Sequence, residues 1–403
     1  MPADASAGTR WGALAVILFA GAVGAAQLGK LPAALPLIRG ELGIGLVTAG
    51  WIISTIVVIG AAGSLFAGIA GDRIGHRRIL IGGTLLVAAG SVAGAFSNDA
   101  EGLIASRIAE GFGYIAVVTA APVMVSRSAA AKDRAAAFGI WSFYMPLGMS
   151  TMIALSPLVM DFAGGWRGLW LLNGALSVAA LAALAASLRG QRFAPVPSPT
   201  PVRLRGIGVT VTKAGPWALA VGMGAYSLVY LSSMAFLPTY LIERQGLDAR
   251  SAALLVGLAV FMNAPGCYVG GRIVRSGIPA WAGIALGYVA MAVCAAGLYQ
   301  PDIPFALRYG LAMALPFFGG FIPPIVLSRI EAHAPSPELY GTAVGLVLQV
   351  VSFGQFVGPP VMAALVAASG NWQSGAWLTV AACATGLAAA GALRRLDRRA
   401  GLR

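Results

Sequence analysis

Apolar segments of about 20 residues follow one another along nearly the whole chain, separated by short charged or Pro- and Gly-containing breaks. Of the 403 residues, 58% are hydrophobic and only 10% are charged, whereas roughly a quarter of a typical soluble domain is charged. Such segments cross a bilayer as helices, because lipid offers the backbone no outside hydrogen-bonding partner. The sequence therefore predicts an all-α membrane protein with twelve transmembrane helices. We place these helices at residues 12–38, 45–71, 79–97, 101–125, 135–160, 167–188, 214–242, 249–272, 280–299, 304–328, 340–366 and 372–394.

Basic residues are concentrated in every second break between the predicted helices. If the N-terminus lies inside the cell, twenty of the 27 Lys and Arg residues fall in cytoplasmic regions and five in outer loops. The positive-inside rule therefore predicts a multi-pass protein of a bacterial inner membrane with both termini in the cytoplasm. Anionic lipid headgroups suffice as the partner of this basic rim. We expect no nucleic-acid partner, because the net charge of +13 is not gathered on a soluble basic face interleaved with aromatic residues.

The second half of the chain repeats features of the first at an offset of roughly 200 residues. The clearest match is between residues 122–127, which read PVMVSR, and residues 324–329, which read PIVLSR. Transporters assembled from paired helical repeats show this kind of symmetry. The sequence predicts two pseudo-symmetric six-helix bundles joined by a Pro-rich extended linker on the cytoplasmic side. The predicted units are an N-terminal bundle at 1–188, the linker at 189–213 and a C-terminal bundle at 214–403.

The segment at 68–78 reads GIAGDRIGHRR and follows the second predicted helix. Its glycines permit close helix contact and a tight turn, and its acidic residue can accept charge-assisted hydrogen bonds from arginines or a helix N-terminus. We expect these residues to form a conformational latch between the bundles, the alternative being a plain basic cytoplasmic turn. The candidate latch residues are Gly68, Gly71, Asp72, Arg73, Gly75, Arg77 and Arg78.

The latch segment resembles the signature G-x-x-x-D-R-x-G-R-R of the major facilitator superfamily, with His76 where Arg is usual. The resemblance extends over about residues 10 to 395 and implies a secondary transporter with the two-bundle fold of that superfamily. It also implies alternating access around a central cavity, with the latch closing the outward-facing state.

The fourth predicted helix carries Arg107 and Glu110 inside a membrane span. Residues three apart lie on one face of a helix, so the two side chains can reach each other. The segment resembles a second signature of the same superfamily, with Glu110 in place of the common Gln, and the resemblance associates Arg107 with proton coupling. Because ionisable residues within a span are functional candidates, we expect Arg107 and Glu110 together to carry proton coupling. The alternative is a structural pair whose charges cancel.

Lys30 lies in the first predicted helix, beside Gln27, at a depth where the superfamily lines its cavity, and its own span contains no acidic partner. One interpretation is that its side chain snorkels to the outer headgroups. The other is that Lys30 and Arg107 make the cavity positive and hold an anion. Other polar side chains expected to face the cavity, or else to hydrogen-bond between helices, are Tyr144, Tyr226, Tyr230, Asn263, Gln349 and Gln355.

These features favour a proton-coupled secondary transporter of a small organic, anionic solute. We expect a monomer whose partners are that solute, protons and the lipid bilayer, with no cofactor and no metal. The runner-up is proton-antiport efflux of a drug or metabolite, although Met152 and Ile153 interrupt the superfamily's antiporter signature. We do not expect an enzyme, because it would need a nucleophile with a base or a metal cluster, and the sequence shows neither pattern. A passive channel is disfavoured because the two-fold repeat suits rocking bundles better than a pore. His76 and His333 are predicted to be solvated in cytoplasmic loops.

Overall fold

The computed structural model describes residues 8–64, 74–189, 204–336 and 339–401. Long helices dominate these ranges, as the apolar segments require. In the N-terminal half they are α1 Trp11–Leu42, α2 Leu46–Thr55, α3 Val58–Ser64, α4 His76–Ala95, α5 Ala100–Ser128, α6 Arg134–Trp141, α7 Tyr144–Ala163 and α8 Trp166–Ser187. In the C-terminal half they are α9 Leu204–Val211, α10 Ala214–Gln245, α11 Ala249–Phe261, α12 Asn263–Arg275, α13 Ala280–Leu298, α14 Phe305–Gly319, α15 Ile322–His333, α16 Tyr340–Ser369 and α17 Gln373–Arg399.

Within the described ranges, eleven helical segments are long and apolar enough to cross a membrane. The pair α2 and α3 forms a twelfth if its two helices, bent by 47° at their break, count as one span. The predicted number of twelve spans is therefore reached when this bent pair is counted as one span. Three further spans each consist of two consecutive helices, namely α6 with α7, α11 with α12, and α14 with α15.

The prediction of an extended linker is wrong for the last part of residues 189–213, because Leu204–Val211 forms α9. Prolines disfavour a helix, and the last proline of the linker is Pro201. The residues that follow can therefore make helical hydrogen bonds. The prolines themselves lie outside the described residues.

The helices pack in two groups, α1 to α8 and α10 to α17. In the first group α4 packs on α5 and α8, and α1 packs on α7; in the second α10 packs on α16 and α17. The groups meet where α1 contacts α10, α2 contacts α16 and α7 contacts α11.

Glycines allow the helices of the first group to approach at backbone distance. A Cβ atom on Gly29 of α1 would lie 2.5 Å from the Met149 carbonyl oxygen of α7, and one on Gly111 of α5 would overlap the Ile56 carbonyl. These two contacts hold the middle of α1 and the middle of α5 in place, and both helices carry charged side chains there.

The two ends of the bundle pair differ. At the end where α1 and α10 terminate, Arg39 pairs with Glu243 at 2.8 Å and Arg250 pairs with Asp161 at 2.6 Å, and both pairs cross between the groups. We call this the ion-pair end. At the opposite end, the terminal end, lie Arg10 and the end of α17. The molecule is thus closed between its halves at the ion-pair end.

Candidate functional site

Three charged side chains meet in the interior of the first helix group. Lys30 Nζ of α1 lies 2.5 Å from Glu110 Oε1 of α5, and Arg107 Nη1 lies 2.6 Å from Glu110 Oε2. All three residues are at most 1% exposed. We call Lys30, Arg107, Glu110 and their polar neighbours Gln27 and Ser91 the charge network.

The polar neighbours add further hydrogen bonds to the charge network. Lys30 Nζ donates to Ser91 Oγ at 3.0 Å, and the Ser91 hydroxyl has Gln27 Oε1 and Glu110 Oε1 within 2.9 Å. Arg107 Nη1 also donates to the Gln27 backbone carbonyl at 2.8 Å. Lys30 Nζ lies 4.3 Å from the ring centroid of Trp170, a geometry suited to a cation–π contact. The network therefore ties α1, α4 and α5 together, and Trp170 adds α8.

The snorkelling interpretation of Lys30 is wrong, because the side chain is fully buried and paired with Glu110. The pairing of Arg107 with Glu110 follows from their spacing, but Lys30 lies 80 residues from Glu110 and its partner was not visible in its own span. Lys30 and Arg107 are accordingly not two unopposed cations. With one carboxylate between them, the network has a net charge of one positive unit when all three groups are ionised.

A cluster of tyrosines lies between the helix groups. Tyr226 and Tyr230 of α10 have ring centroids 5.8 Å apart, and the Tyr114 hydroxyl of α5 lies near Tyr144 and near Tyr230 of the other group. Tyr144 also stacks on Trp141 at 4.4 Å between centroids. We call Tyr114, Tyr144, Tyr226 and Tyr230 the tyrosine cluster. Tyr114 lies one helical turn beyond Glu110, so the charge network and the cluster are adjacent on α5.

Asn263, at the start of α12, lies beside this cluster. Its Nδ2 donates to Tyr226 Oη at 2.9 Å and to the Pro316 carbonyl at 3.0 Å. Sequence reasoning named Asn263 but missed Tyr114 and Trp141. The position of Tyr114, four residues after Glu110, was the signal that could have found it. The other two predicted cavity residues, Gln349 and Gln355, lie half-buried on α16.

The predicted latch is described only in part. Gly68, Gly71, Asp72 and Arg73 lie outside the described residues. Gly75 has a φ of 97°, which a residue with a side chain rarely adopts, so this position before α4 requires glycine. Arg77 is half-buried and Arg78 is exposed.

His76 is buried, and His333 is half-buried with its side chain paired to Asp397, so the prediction of solvated histidines in loops is wrong. His76 is 8% exposed as the first residue of α4. His333 Nε2 lies 2.9 Å from Asp397 Oδ1, which also accepts a hydrogen bond from Arg329 at 2.7 Å. This second cluster joins α15 to α17 at the terminal end and was missed because its members are 64 and 68 residues apart. Among the residues that the structure describes, no three His, Cys, Asp or Glu side chains could hold a metal ion.

Comparison with known proteins agrees with this architecture. The family model described as Major Facilitator Superfamily matches residues 13–348. The arabinose-proton symporter of Escherichia coli K12 is 28% identical over 143 residues, which cover 36% of this chain and 30% of that protein. The cephamycin export protein CmcT of Amycolatopsis lactamdurans is 28% identical over 191 residues, covering 47% of this chain and 38% of that protein. The matched stretches thus span well under half of each of these relatives.

A solved structure resembles the chain over nearly its whole length. It is a bacterial homolog of the human lysosomal transporter Spinster in an inward-facing and occupied conformation, with a TM-score of 0.79, 16% identity and 98% coverage of both chains. At this identity the likeness shows the fold. The predicted fold, two six-helix bundles of membrane-spanning helices, is confirmed.

Proposed function

The chain belongs to the major facilitator superfamily, and on that basis we propose that it is a secondary active transporter that moves a small organic solute by alternating access, driven by a proton gradient. The observation that carries the proposal is the buried charge network of Lys30, Arg107 and Glu110. Ionisable groups are expensive inside a membrane and are placed there mainly where a substrate or a proton must be handled. Tyr114, one helical turn beyond Glu110 on α5, connects them to the tyrosine cluster between the halves.

In this proposal the protein resides in a bacterial inner membrane as a monomer, since one chain carries both halves. The positive-inside rule places the terminal end and both termini in the cytoplasm. The contacts at the ion-pair end, such as Arg39 with Glu243, then close the outer side, and this conformation is inward-facing. The segment at 68–78 acts as the latch of the opposite state, with Asp72 as the acceptor and the surrounding arginines as donors.

For the substrate we propose an organic anion. The charge network has an excess of one positive charge, and in a low-dielectric site one excess charge outweighs several neutral contacts. The Tyr226 hydroxyl accepts from Asn263 Nδ2 and keeps its own hydrogen, which it can donate to a carboxylate on the facing half. The second candidate is proton-antiport efflux of a drug or metabolite. It is favoured by the aromatic character of the tyrosine cluster and by the likeness to a protein named for cephamycin export.

Ligand-induced stabilisation should discriminate these candidates. We expect benzoate to raise the melting temperature of the purified protein more than benzylamine, its matched cation, or benzamide, its neutral analogue. At a concentration about 100 times the dissociation constant, a ligand adds about 2.7 kcal/mol to the free energy of unfolding. Thermal unfolding in detergent measures the effect. A larger shift with benzylamine and other lipophilic cations would refute the anion assignment and favour efflux.

Transport itself is tested in proteoliposomes loaded at one pH and diluted into another. We expect the solute that stabilises the protein most to accumulate when a proton gradient is imposed, and to exchange without net accumulation when the gradient is collapsed. Uptake that ignores the gradient in intact vesicles would refute proton coupling.

Breaking the ion pairs between the halves should open the ion-pair end. The Arg39–Glu243 and Arg250–Asp161 side chains are 26 to 65% exposed, so each pair contributes at most about 1 kcal/mol and is screened by salt. Removing both, by Glu243→Gln with Asp161→Asn, should therefore shift the population of the closed state several-fold. Spin labels at the exposed positions Phe162 and Leu254, in a background without the native cysteines, report the distance between α7 and α11.

The chain offers a matched control for this experiment. Glu41 pairs with Arg167 at the same end, but both residues belong to the first helix group. Glu41→Gln should leave the distance distribution unchanged. If the double variant and this control behave alike, the pairs between the halves do not hold the end closed.

A further inference from the structure

Only two groups in the charge network can change their charge. Arg107 remains protonated in proteins, and neither Gln27 and Ser91 nor the adjacent Trp170 titrates. A proton can therefore be exchanged at Glu110 or at Lys30. Which of them exchanges depends on the charges and hydrogen bonds left behind in a site that is at most 1% exposed.

Protonating Glu110 leaves the site in an unfavourable state. Its two oxygens accept from Lys30 at 2.5 Å, from Ser91 at 2.9 Å and from Arg107 at 2.6 Å. A protonated carboxyl would leave two buried cations without a counter-ion and would bring a donor against these donors.

Removing the proton from Lys30 leaves a balanced state. Glu110 and Arg107 remain as a neutral pair on one face of α5. The Lys30 amine keeps two hydrogens, so it can still donate to Ser91 or Glu110, and its lone pair can accept from the Ser91 hydroxyl 3.0 Å away. The protonated form is stabilised as well, by Glu110 and by the Trp170 ring. Both protonation states of Lys30 are thus stabilised by neighbouring side chains.

We propose that the Lys30 amine, and not the Glu110 carboxyl, is the group that binds and releases the coupling proton. This inference rests on the proposed proton-coupled transport. In the transport step the N–H bond of the ammonium breaks, its electron pair stays on Nζ, and the proton passes to water on the side to which the site opens. Glu110 and Arg107 act as positioning residues that remain ionised throughout.

The charge of Lys30 is coupled to the proposed substrate site through the packing of α1 against α5. Loss of the Lys30 charge weakens the only ion pair between these helices in the network, because Arg107 and Glu110 both belong to α5. Tyr114 follows Glu110 on α5 by one turn and lies within electrostatic range of Tyr230 of the other half. The protonation state of Lys30 therefore biases the packing of α1 against the helix that carries part of the tyrosine cluster.

The test follows protons directly and needs no substrate. The chain has only three lysines, Lys30, Lys132 and Lys213, so protein labelled with ¹⁵N-lysine gives three Nζ signals, and Lys30→Met identifies the signal of Lys30. We expect the Lys30 signal to change between its ammonium and amine forms as pH is varied over the range in which the protein transports. Infrared difference spectra over the same range should show no carboxylic acid band that disappears in Glu110→Gln. A Glu110-dependent acid band, or a Lys30 signal that stays in one form, would overturn the proposal.

Proteoliposomes separate this inference from the proposed function. Lys30→Met and Lys30→Arg, which fix the position as neutral or as positive, should both lose proton-driven accumulation, whereas Lys213→Met at the exposed start of α10 should retain it. A wild type that accumulates no solute under a proton gradient refutes coupling and this inference together. A coupled wild type whose Lys30→Arg variant remains equally coupled refutes this inference alone.

Discussion

Glu110→Gln should cost about 3 to 5 kcal/mol in the free energy of unfolding, more than any other single substitution in the charge network. The carboxylate lies between Lys30 and Arg107, and at a pH at which Lys30 is protonated its removal leaves two buried cations facing each other. Breaking a buried pair is expensive because the remaining charge is neither hydrated nor neutralised. The measurement is thermal and denaturant unfolding of wild type and variant, purified in the same detergent.

Two matched variants test the cause of this loss. Lys30→Met leaves the neutral Glu110–Arg107 pair and should be much less destabilising. The double variant Lys30→Met with Glu110→Gln leaves one buried cation in place of two, so it should be more stable than Glu110→Gln alone. If the double variant is instead the least stable of the three, charge balance does not govern the stability of this site. A Glu110→Gln protein as stable as wild type would show that the network is not buried as a unit.

Gly50→Leu should abolish transport while leaving the protein folded. A Cβ atom on Gly50 of α2 would lie 2.9 Å from Pro360 Cα and 3.0 Å from the Pro359 carbonyl oxygen of α16, with no flexible side chain that could yield. The contact joins the two helix groups, so a larger residue there wedges the ion-pair end open without disturbing the core of either half. Solute counterflow and the distance between labels at Phe162 and Leu254 measure the two consequences.

Gly40→Leu is the control for Gly50→Leu. Gly40 is exposed near the end of α1, and a Cβ atom there meets nothing within 4 Å. This variant should transport at close to the wild-type rate with an unchanged label distance. Wild-type counterflow by Gly50→Leu would mean that closure between α2 and α16 is not part of the transport cycle.

The spans and the general architecture could be predicted because the bilayer imposes them locally. A segment of about 20 apolar residues has almost no alternative to a membrane-spanning helix, whatever surrounds it. The pairing of Arg107 with Glu110 was predictable for the same reason, since helical spacing alone brings residues three apart together. Gly75 could likewise be assigned to a turn, and its positive φ shows why glycine is required there.

The partners of Lys30 were decided by the tertiary structure. Ser91 and Glu110 are 61 and 80 residues away, on helices whose packing against α1 depends on where glycines such as Gly29 permit close approach. The contact of Asp397 with His333 and the tyrosines shared between the halves depend in the same way on which helices meet. Sequence alone determined that this chain is a membrane-spanning helical protein with charges inside its spans, because the lipid around each apolar segment requires it to be a helix. Only the packing of the helices decided which charges cancel, because contacts between helices are set by the shapes of both surfaces and not by spacing along either one.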